Sequence, residues 1–226
     1  AEEYDLAISF LTPHYYVAEK CRAKKKIAWI HTDYSYIDVD TVSELAMWSA
    51  YDRIASISDD VSTAFTRKFP SLSDRLIRVD NIISPDGIRK CAAAKDVSGE
   101  MDGKIKLLSC GRFCEAKNFD SIPEIARYLV DLGNDIKWYI IGFGGGEELI
   151  RAKIGIHGME NRVIILGKRA DPYPYMNACD VYVQPSRYEG KAVAVREAQI
   201  LGKPVVITDY PTSASQLDDG VDGIIV

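Results

Sequence analysis

The sequence predicts an α/β protein built from two parallel-sheet, Rossmann-like domains in series, and three observations carry that expectation. From residue 104 onward, short apolar runs alternate with longer amphipathic ones, the rhythm of βαβ units. The first hundred residues repeat the rhythm more loosely. Between them, residues 95–103 read KDVSGEMDG, the composition of a linker, which sets the expected domains at 1–98 and 104–226.

In chain order, strands are expected at 6–10, 27–30, 53–57 and 76–79, separated by helical stretches, and the first domain reads as the later part of an α/β unit. The second domain should hold strands at 105–110, 137–141, 163–166, 181–184, 205–208 and 223–226. Helices are expected near 119–132, 147–157 and 191–201, with a shorter turn near 173–178. Phe119, Ile122, Ile125, Ala126 and Leu129 recur at three- and four-residue steps, which gives the first of these helices one apolar face. Gly133 follows as its stop. The chain opens on a strand without an initiator methionine and closes on an apolar run, so it is expected to be a fragment with an incomplete first domain.

With 226 residues, 47% of them hydrophobic and 27% charged, the chain can bury one large core or two modest ones, which excludes a disordered segment. No stretch reaches the roughly 18 apolar residues of a membrane-spanning helix, and no secretory signal is evident. The five cysteines are scattered without a C-x-x-C pair, which suits a reducing compartment and predicts a cytoplasmic protein. A net charge of −5 argues against nucleic acid as a partner. The basic run at 20–26, KCRAKKK, leaves two readings open: a solvated face, or peripheral contact with an anionic membrane at its inner surface.

Ligands of open parallel sheets bind at the carboxyl ends of strands, and four motifs fall there. Gly111-Arg112 with Lys117 lies between a strand and a helix, where a planar guanidinium and a point charge can converge on a diphosphate. An ion pair with Glu115 or Asp120 is the alternative. Gly142-Phe143-Gly144-Gly145-Gly146 lets backbone approach a ligand ahead of a helix N-terminus, or serves as a tight turn. The loop Pro185-Ser186-Arg187-Tyr188-Glu189-Gly190-Lys191-Ala192-Val193 leads into a helix carrying Glu197. Its two carboxylates can accept hydrogen bonds from sugar hydroxyls, and Gly190 leaves the amides of 190–193 free to donate. In the first domain His31, followed by Thr32 and Asp33, ends a strand. A structural, hydrogen-bonded histidine is the competing reading.

Taken together, these residues resemble glycosyltransferase family 4, the retaining nucleotide-sugar transferases of the GT-B fold, whose two Rossmann-like domains face a cleft. The likeness runs through nearly the whole chain and is strongest over 104–226, where Arg112 with Lys117, Gly142-Phe143-Gly144, Leu166-Gly167, Asp180 and the Glu189…Glu197 pair occur in family order. The resemblance implies an acceptor-side first domain and a donor-binding second domain. It casts Arg112 and Lys117 as ligands of the donor diphosphate and Glu197 as acceptor from the ribose. Glu189 and the backbone of Gly190, Lys191, Ala192 and Val193 would hold the hexose, Lys168 and Arg169 would border the base, and His31 would approach the transferred sugar.

The implied reaction moves a hexose from a UDP- or GDP-sugar to a glycan or lipid-linked acceptor with retention. His31 and Glu189 serve as its catalytic residues, and neither metal nor cofactor is required. The stretch from Glu189 to Gln216 looks most like members that assemble capsule or other cell-surface polysaccharides. Lys191-Ala192 stands where many relatives have an aromatic residue or leucine and then glycine, which alters the sugar pocket. Two rival readings remain. A GT-B epimerase would need further acid/base residues in the first domain, where the sequence presents only His31 and Asp33. A non-catalytic nucleotide-sugar-binding partner would need only the donor motifs.

Overall fold

The computed structural model describes residues 2–32 and 34–226, so Asp33 lies outside the described residues. The chain divides into two compact units. The first comprises Ala1–Ile82 with Glu189–Lys191, and the second Ile83–Tyr188 with Ala192–Val226.

The first unit is a four-stranded parallel sheet in sequential order, β1 (Tyr4–Ser9), β2 (Ala23–Ile30), β3 (Arg53–Ser56) and β4 (Leu76–Arg78). Helices α1 (Thr41–Ser49) and α2 (Asp59–Lys68) connect β2 to β3 and β3 to β4. Each begins where a polar side chain satisfies an otherwise orphaned amide: Asp40 accepts from the Val42 N–H and Ser58 from the Val61 N–H. Alternate residues Ala28 and Ile30 of β2 join Ile54, Trp48, Phe65 and Phe69 in one core. The Trp48 indole is satisfied by Glu44 at 2.8 Å and the Tyr34 hydroxyl at 3.2 Å. Leu6 and Ile8, on the other face of β1, are half exposed. The basic run belongs largely to β2: Lys24 pairs with Asp5 at 2.6 Å, Lys25 lies 3.6 Å from Asp52, and Lys26 donates to the Ala18 carbonyl.

The second unit is a six-stranded parallel sheet in the order β10-β9-β8-β5-β6-β7. Its strands are β5 (Ile105–Arg112), β6 (Ile136–Phe143), β7 (Val163–Gly167), β8 (Val181–Gln184), β9 (Val205–Ile207) and β10 (Ile224–Ile225). Its helices are α3 (Pro85–Ala92), α4 (Ile122–Asp131), α5 (Glu147–Ile156), α6 (Tyr173–Ala178) and α7 (Val193–Ile200). The chain winds outward from β5 to β7, then returns to lay β8 beside β5. That reversal makes a topological switch point between β5 and β8.

Helices cover both faces of this sheet, which is why its strands read as continuous apolar runs. Leu108 and Cys110 of β5 pack with Tyr139, Tyr175, Met176, Val195 and Ala198 on the α6/α7 face. Leu107, Trp138 and Ile140 pack with Phe119, Ile122, Ala126, Ile150 and Ile154 on the α4/α5 face. The expected apolar stripe of α4 holds at Phe119, Ile122 and Ala126 but not at Ile125, which is 37% exposed. At 100° per residue, Ile125 and its neighbour Ala126 cannot both face the sheet centre. Gly133, with φ +88°, ends α4: its N–H donates to Val130 at 2.9 Å and the Asn134 N–H donates back to Leu129 at 3.2 Å.

Residues 95–103 differ from the expected linker. The division between units falls at Ile82/Ile83. Val97 and Met101, four residues apart in a polar stretch, are buried in the second unit's core, 3% and 4% exposed. Composition averages such a segment to polar, whereas burial needs only two well-spaced anchors. Met101→Ala should therefore lower the unfolding free energy by about 2–4 kcal/mol in a urea titration. A true linker residue would change it by no more than ~0.5 kcal/mol.

Candidate functional site

The site is built from the carboxyl ends of β5, β6 and β8, and its first requirement is that two backbones pass closely. A Cβ on Gly142 would lie 1.8 Å from the Gly111 carbonyl oxygen and 2.8 Å from the Phe113 ring. A Cβ on Gly144 would lie 2.5 Å from the Phe113 carbonyl oxygen. Both glycines hold positive φ, +156° and +151°. The contact is closed by the Phe113 N–H donating to Phe143 at 2.8 Å and the Gly146 N–H donating to Phe113 at 2.9 Å. The tight-turn reading of this loop therefore describes it, and the same turn presents the N-terminus of α5, with Glu147 and Glu148 in its first turn.

Arg112 ends β5 with an exposed side chain. Strand alternation puts it on the α6/α7 face with Cys110, and among the described residues its guanidinium makes no hydrogen bond or ion pair. Lys117 comes from the following helical turn and lays its aliphatic stem on Gly111, whose added Cβ would meet Lys117 Cε at 3.2 Å. Asp120, one of the two carboxylates suggested as an ion-pair partner, is held by Arg187 at 3.4 Å and Lys153 at 3.3 Å rather than by Arg112.

Arg187 also stitches the loop after β8 to the loop after β5. Its N–H donates to the Ala116 carbonyl at 2.8 Å and its guanidinium to the Glu115 carbonyl at 2.6 Å. Beneath this loop runs a buried polar chain in which the Tyr182 hydroxyl donates to Gln184 at 2.7 Å and the Gln184 amide to Ser186 at 2.9 Å. The sequence assigns Arg187 no role; its place in a strand-end loop between Pro185 and Gly190 is the signal that marks it.

Glu189 is half-buried, Gly190 is buried, and Lys191 lies 3.7 Å from Asp80. One expectation fails: the amides of 190–193 are not all free. Ala192 is buried and its N–H donates to Gln216 Oε1 at 2.8 Å, because the turn after β9 brings that side chain under the start of α7. Glu197, within α7, is half-buried and accepts a hydrogen bond from the Tyr173 hydroxyl at 2.8 Å. Burial raises its pKa above the usual carboxylate range, and the Tyr173 hydrogen bond works against that rise.

Lys168 and Arg169 diverge. The Lys168 ammonium stands 4.8 Å from the centre of the half-exposed Phe143 ring, a cation–π contact on the α6/α7 face. Arg169 turns to the Tyr175 hydroxyl at 2.9 Å and to Glu100 at 3.3 Å. Glu100, with its pKa drawn down to about 2 by the Lys95 and Tyr175 hydrogen bonds, anchors this clasp.

In the first unit, His31 follows β2 and packs against Phe10 and Trp29, ring centres 4.4 and 5.7 Å away. Its Nε2 is buried with no hydrogen-bond partner among the described residues, and burial lowers its pKa, which keeps the imidazole neutral.

A cleft of about 320 Å³ opens on the α4/α5 side, between Phe113, Phe119, Leu149, Ile150 and Arg187, with neither Arg112 nor Glu197 in its wall. Among the described residues no group of three or more His, Cys, Asp or Glu side chains could hold a metal ion, and no helix is long and apolar enough to cross a membrane.

Two measurements check this geometry. Gly142→Ala should destabilise the protein by about 3 kcal/mol or more in denaturant unfolding, whereas Gly145→Ala, with open space around its Cβ, should stay within ~1 kcal/mol. His31 has a folded pKa below its unfolded value of about 6.5, so the unfolded chain binds the extra proton between the two. Stability is full above that window and falls as pH drops through it. His31→Phe should accordingly show a smaller loss of urea midpoint between pH 7.5 and pH 5 than the parent.

Residues 92–226 match the model of the family described as glycosyl transferases group 1. Among curated relatives, the α-D-kanosaminyltransferase of Streptomyces kanamyceticus is 29% identical over 128 residues, 56% of this chain and 33% of its own length. A Campylobacter jejuni α-N-acetylgalactosaminyltransferase named for a diphospho-undecaprenol acceptor is 31% identical over 121 residues, 53% of this chain and 32% of its own. The chain thus spans about a third of these relatives. Among solved structures, TarM of S. aureus superposes with a TM-score of 0.76 at 17% identity, covering 98% of this chain and 44% of TarM. Anabaena HepE in complex with UDP superposes with a TM-score of 0.73 at 18% identity, covering 89% and 58%. These likenesses show the GT-B fold. With the family model covering more than half of it, the chain belongs to the glycosyl transferases of group 1.

Proposed function

We propose that this chain carries the nucleotide-sugar-binding part of a retaining glycosyltransferase of family 4. It moves a hexose from a UDP- or GDP-sugar to an acceptor hydroxyl in cell-surface polysaccharide synthesis. One observation carries the reading: beside a switch point, Arg112, unpaired among the described residues, the Phe143–Lys168 pair at the strand ends and the half-buried Glu197 of α7 share one sheet face. Cation, ring and carboxylate are the three chemistries a nucleoside diphosphate needs, for phosphate, base and ribose.

In this reading Arg112 and Lys117 hold the diphosphate and, with the N-terminus of α5, stabilise the charge that builds on it as the glycosidic bond breaks. No metal is required for that step. Glu189 with the backbone of Gly190, Lys191 and Val193 positions the hexose, and the neutral His31 donates a hydrogen bond to the transferred sugar. The donor's own phosphate oxygen assists the acceptor on the same face, which gives retention. UDP in the HepE and TarM complexes and the lipid-linked acceptor in the Campylobacter relative's name support the substrate classes.

Calorimetric titration with UDP and GDP, with and without EDTA, tests the donor site. One of the two should bind, unaffected by EDTA, and Arg112→Ala should weaken it roughly 10–100-fold, the worth of one charged hydrogen bond. Absence of binding by both nucleotides overturns the reading.

A further inference from the structure

Tyr173 belongs to none of the motifs that point to the donor site, yet its hydroxyl donates to Glu197 Oε1 at 2.8 Å. We propose that Tyr173 is a positioning residue: by occupying Oε1 it presents Oε2 of Glu197 to the ribose diol of a bound nucleoside diphosphate. The proposal rests on the donor-site reading above.

The geometry favours such a division of labour. An ionised carboxylate offers about four acceptor sites on two oxygens, and a ribose diol brings two donors. A glutamate alone would sample several rotamers. A tyrosine has two side-chain torsions, and Tyr173 is further fixed by its own N–H donating to Asp171 at 3.1 Å. Around the pair stand Cys110 from β5, Cys91 from α3 and Asp171 ahead of α6, none of them a cation. The phenol is therefore the contact that opposes the upward pull of burial on the Glu197 pKa.

The test compares the parent chain, Tyr173→Phe, Glu197→Gln and the double variant. Each is titrated with UDP, GDP and their 2′,3′-dideoxy counterparts between pH 5 and 8. The parent should prefer the ribose form of whichever nucleotide binds by about tenfold or more. Tyr173→Phe should cut that preference several-fold, leave the dideoxy affinity unchanged, and move the acid limb of ribose-form binding to higher pH. In Glu197→Gln, Tyr173 still takes the side-chain oxygen and turns the amide NH₂ toward the ribose, so no side-chain acceptor faces the diol and the preference falls. Adding Tyr173→Phe frees the amide to flip and should restore part of it.

Equal weakening of ribose and dideoxy forms by Tyr173→Phe, or no recovery in the double variant, overturns the positioning role and leaves the donor site standing. No preference for ribose in the parent overturns the role of Glu197 and this proposal with it. No binding of any nucleotide overturns the donor site itself.

Discussion

The second unit depends on one close passage of backbone, where the segment Gly111–Phe113 crosses Gly142–Gly146. The Phe113 N–H and carbonyl are both committed there, at 2.8 and 2.9 Å, and no side chain fits at Gly142 or Gly144. Because the crossing sits on the last residues of β5 and β6, it decides where both loops leave the sheet. Arg112 is delivered on one face of the sheet and Phe113 on the other, and α5 starts where the crossing ends. A glycine loop of this kind is doing structural work first. The start of the helix it introduces is a consequence of the same turn.

From that crossing the two faces of the sheet take different tasks. Phe113 and Phe119 close the α4/α5 core, while Arg112, Phe143 and Glu197 remain at the rim of the α6/α7 side. The loops after β5 and β8 then have to stay in register across the switch point. Arg187 does this chiefly through two bonds to main-chain carbonyls. Its 3.4 Å contact with Asp120 is partly exposed and of a kind worth about 0–1 kcal/mol. The buried chain Tyr182–Gln184–Ser186 supplies firmer support, since its hydrogen bonds at 2.7 and 2.9 Å lie out of solvent, where neutral hydrogen bonds are worth about 0.5–1.5 kcal/mol each.

The electrostatics of the chain are local rather than global. A net charge of −5 coexists with a guanidinium, Arg112, that is unpaired among the described residues at a strand end, and Lys24, Lys25 and Lys26 of the basic run are tied to Asp5, Asp52 and a main-chain carbonyl. Two titratable groups are tuned by burial in opposite senses: His31 toward its neutral form, Glu197 toward protonation, with a phenol holding the latter back. Surroundings of that sort suit recognition of hydroxyl groups, which need acceptors and neutral donors in fixed places.

Much was legible in the residues alone. Among the described residues, the ten strands, the helices between them other than α3 and the positions of the motifs at strand ends follow from apolar period and from glycine, because each is a local preference of backbone and side chain. Gly133 as the stop of α4 is of the same kind. What the sequence could not determine concerns partners distant along the chain. Asp120 pairs with Arg187 rather than Arg112, Gln216 takes the amide of Ala192, Arg169 turns to Glu100, and Tyr173 holds Glu197. Val97 and Met101 make a core element of an apparent linker. Each of these is a choice among several chemically equivalent partners, and only the strand order of the folded sheet, which brings β8 back beside β5, decides which of them is within reach.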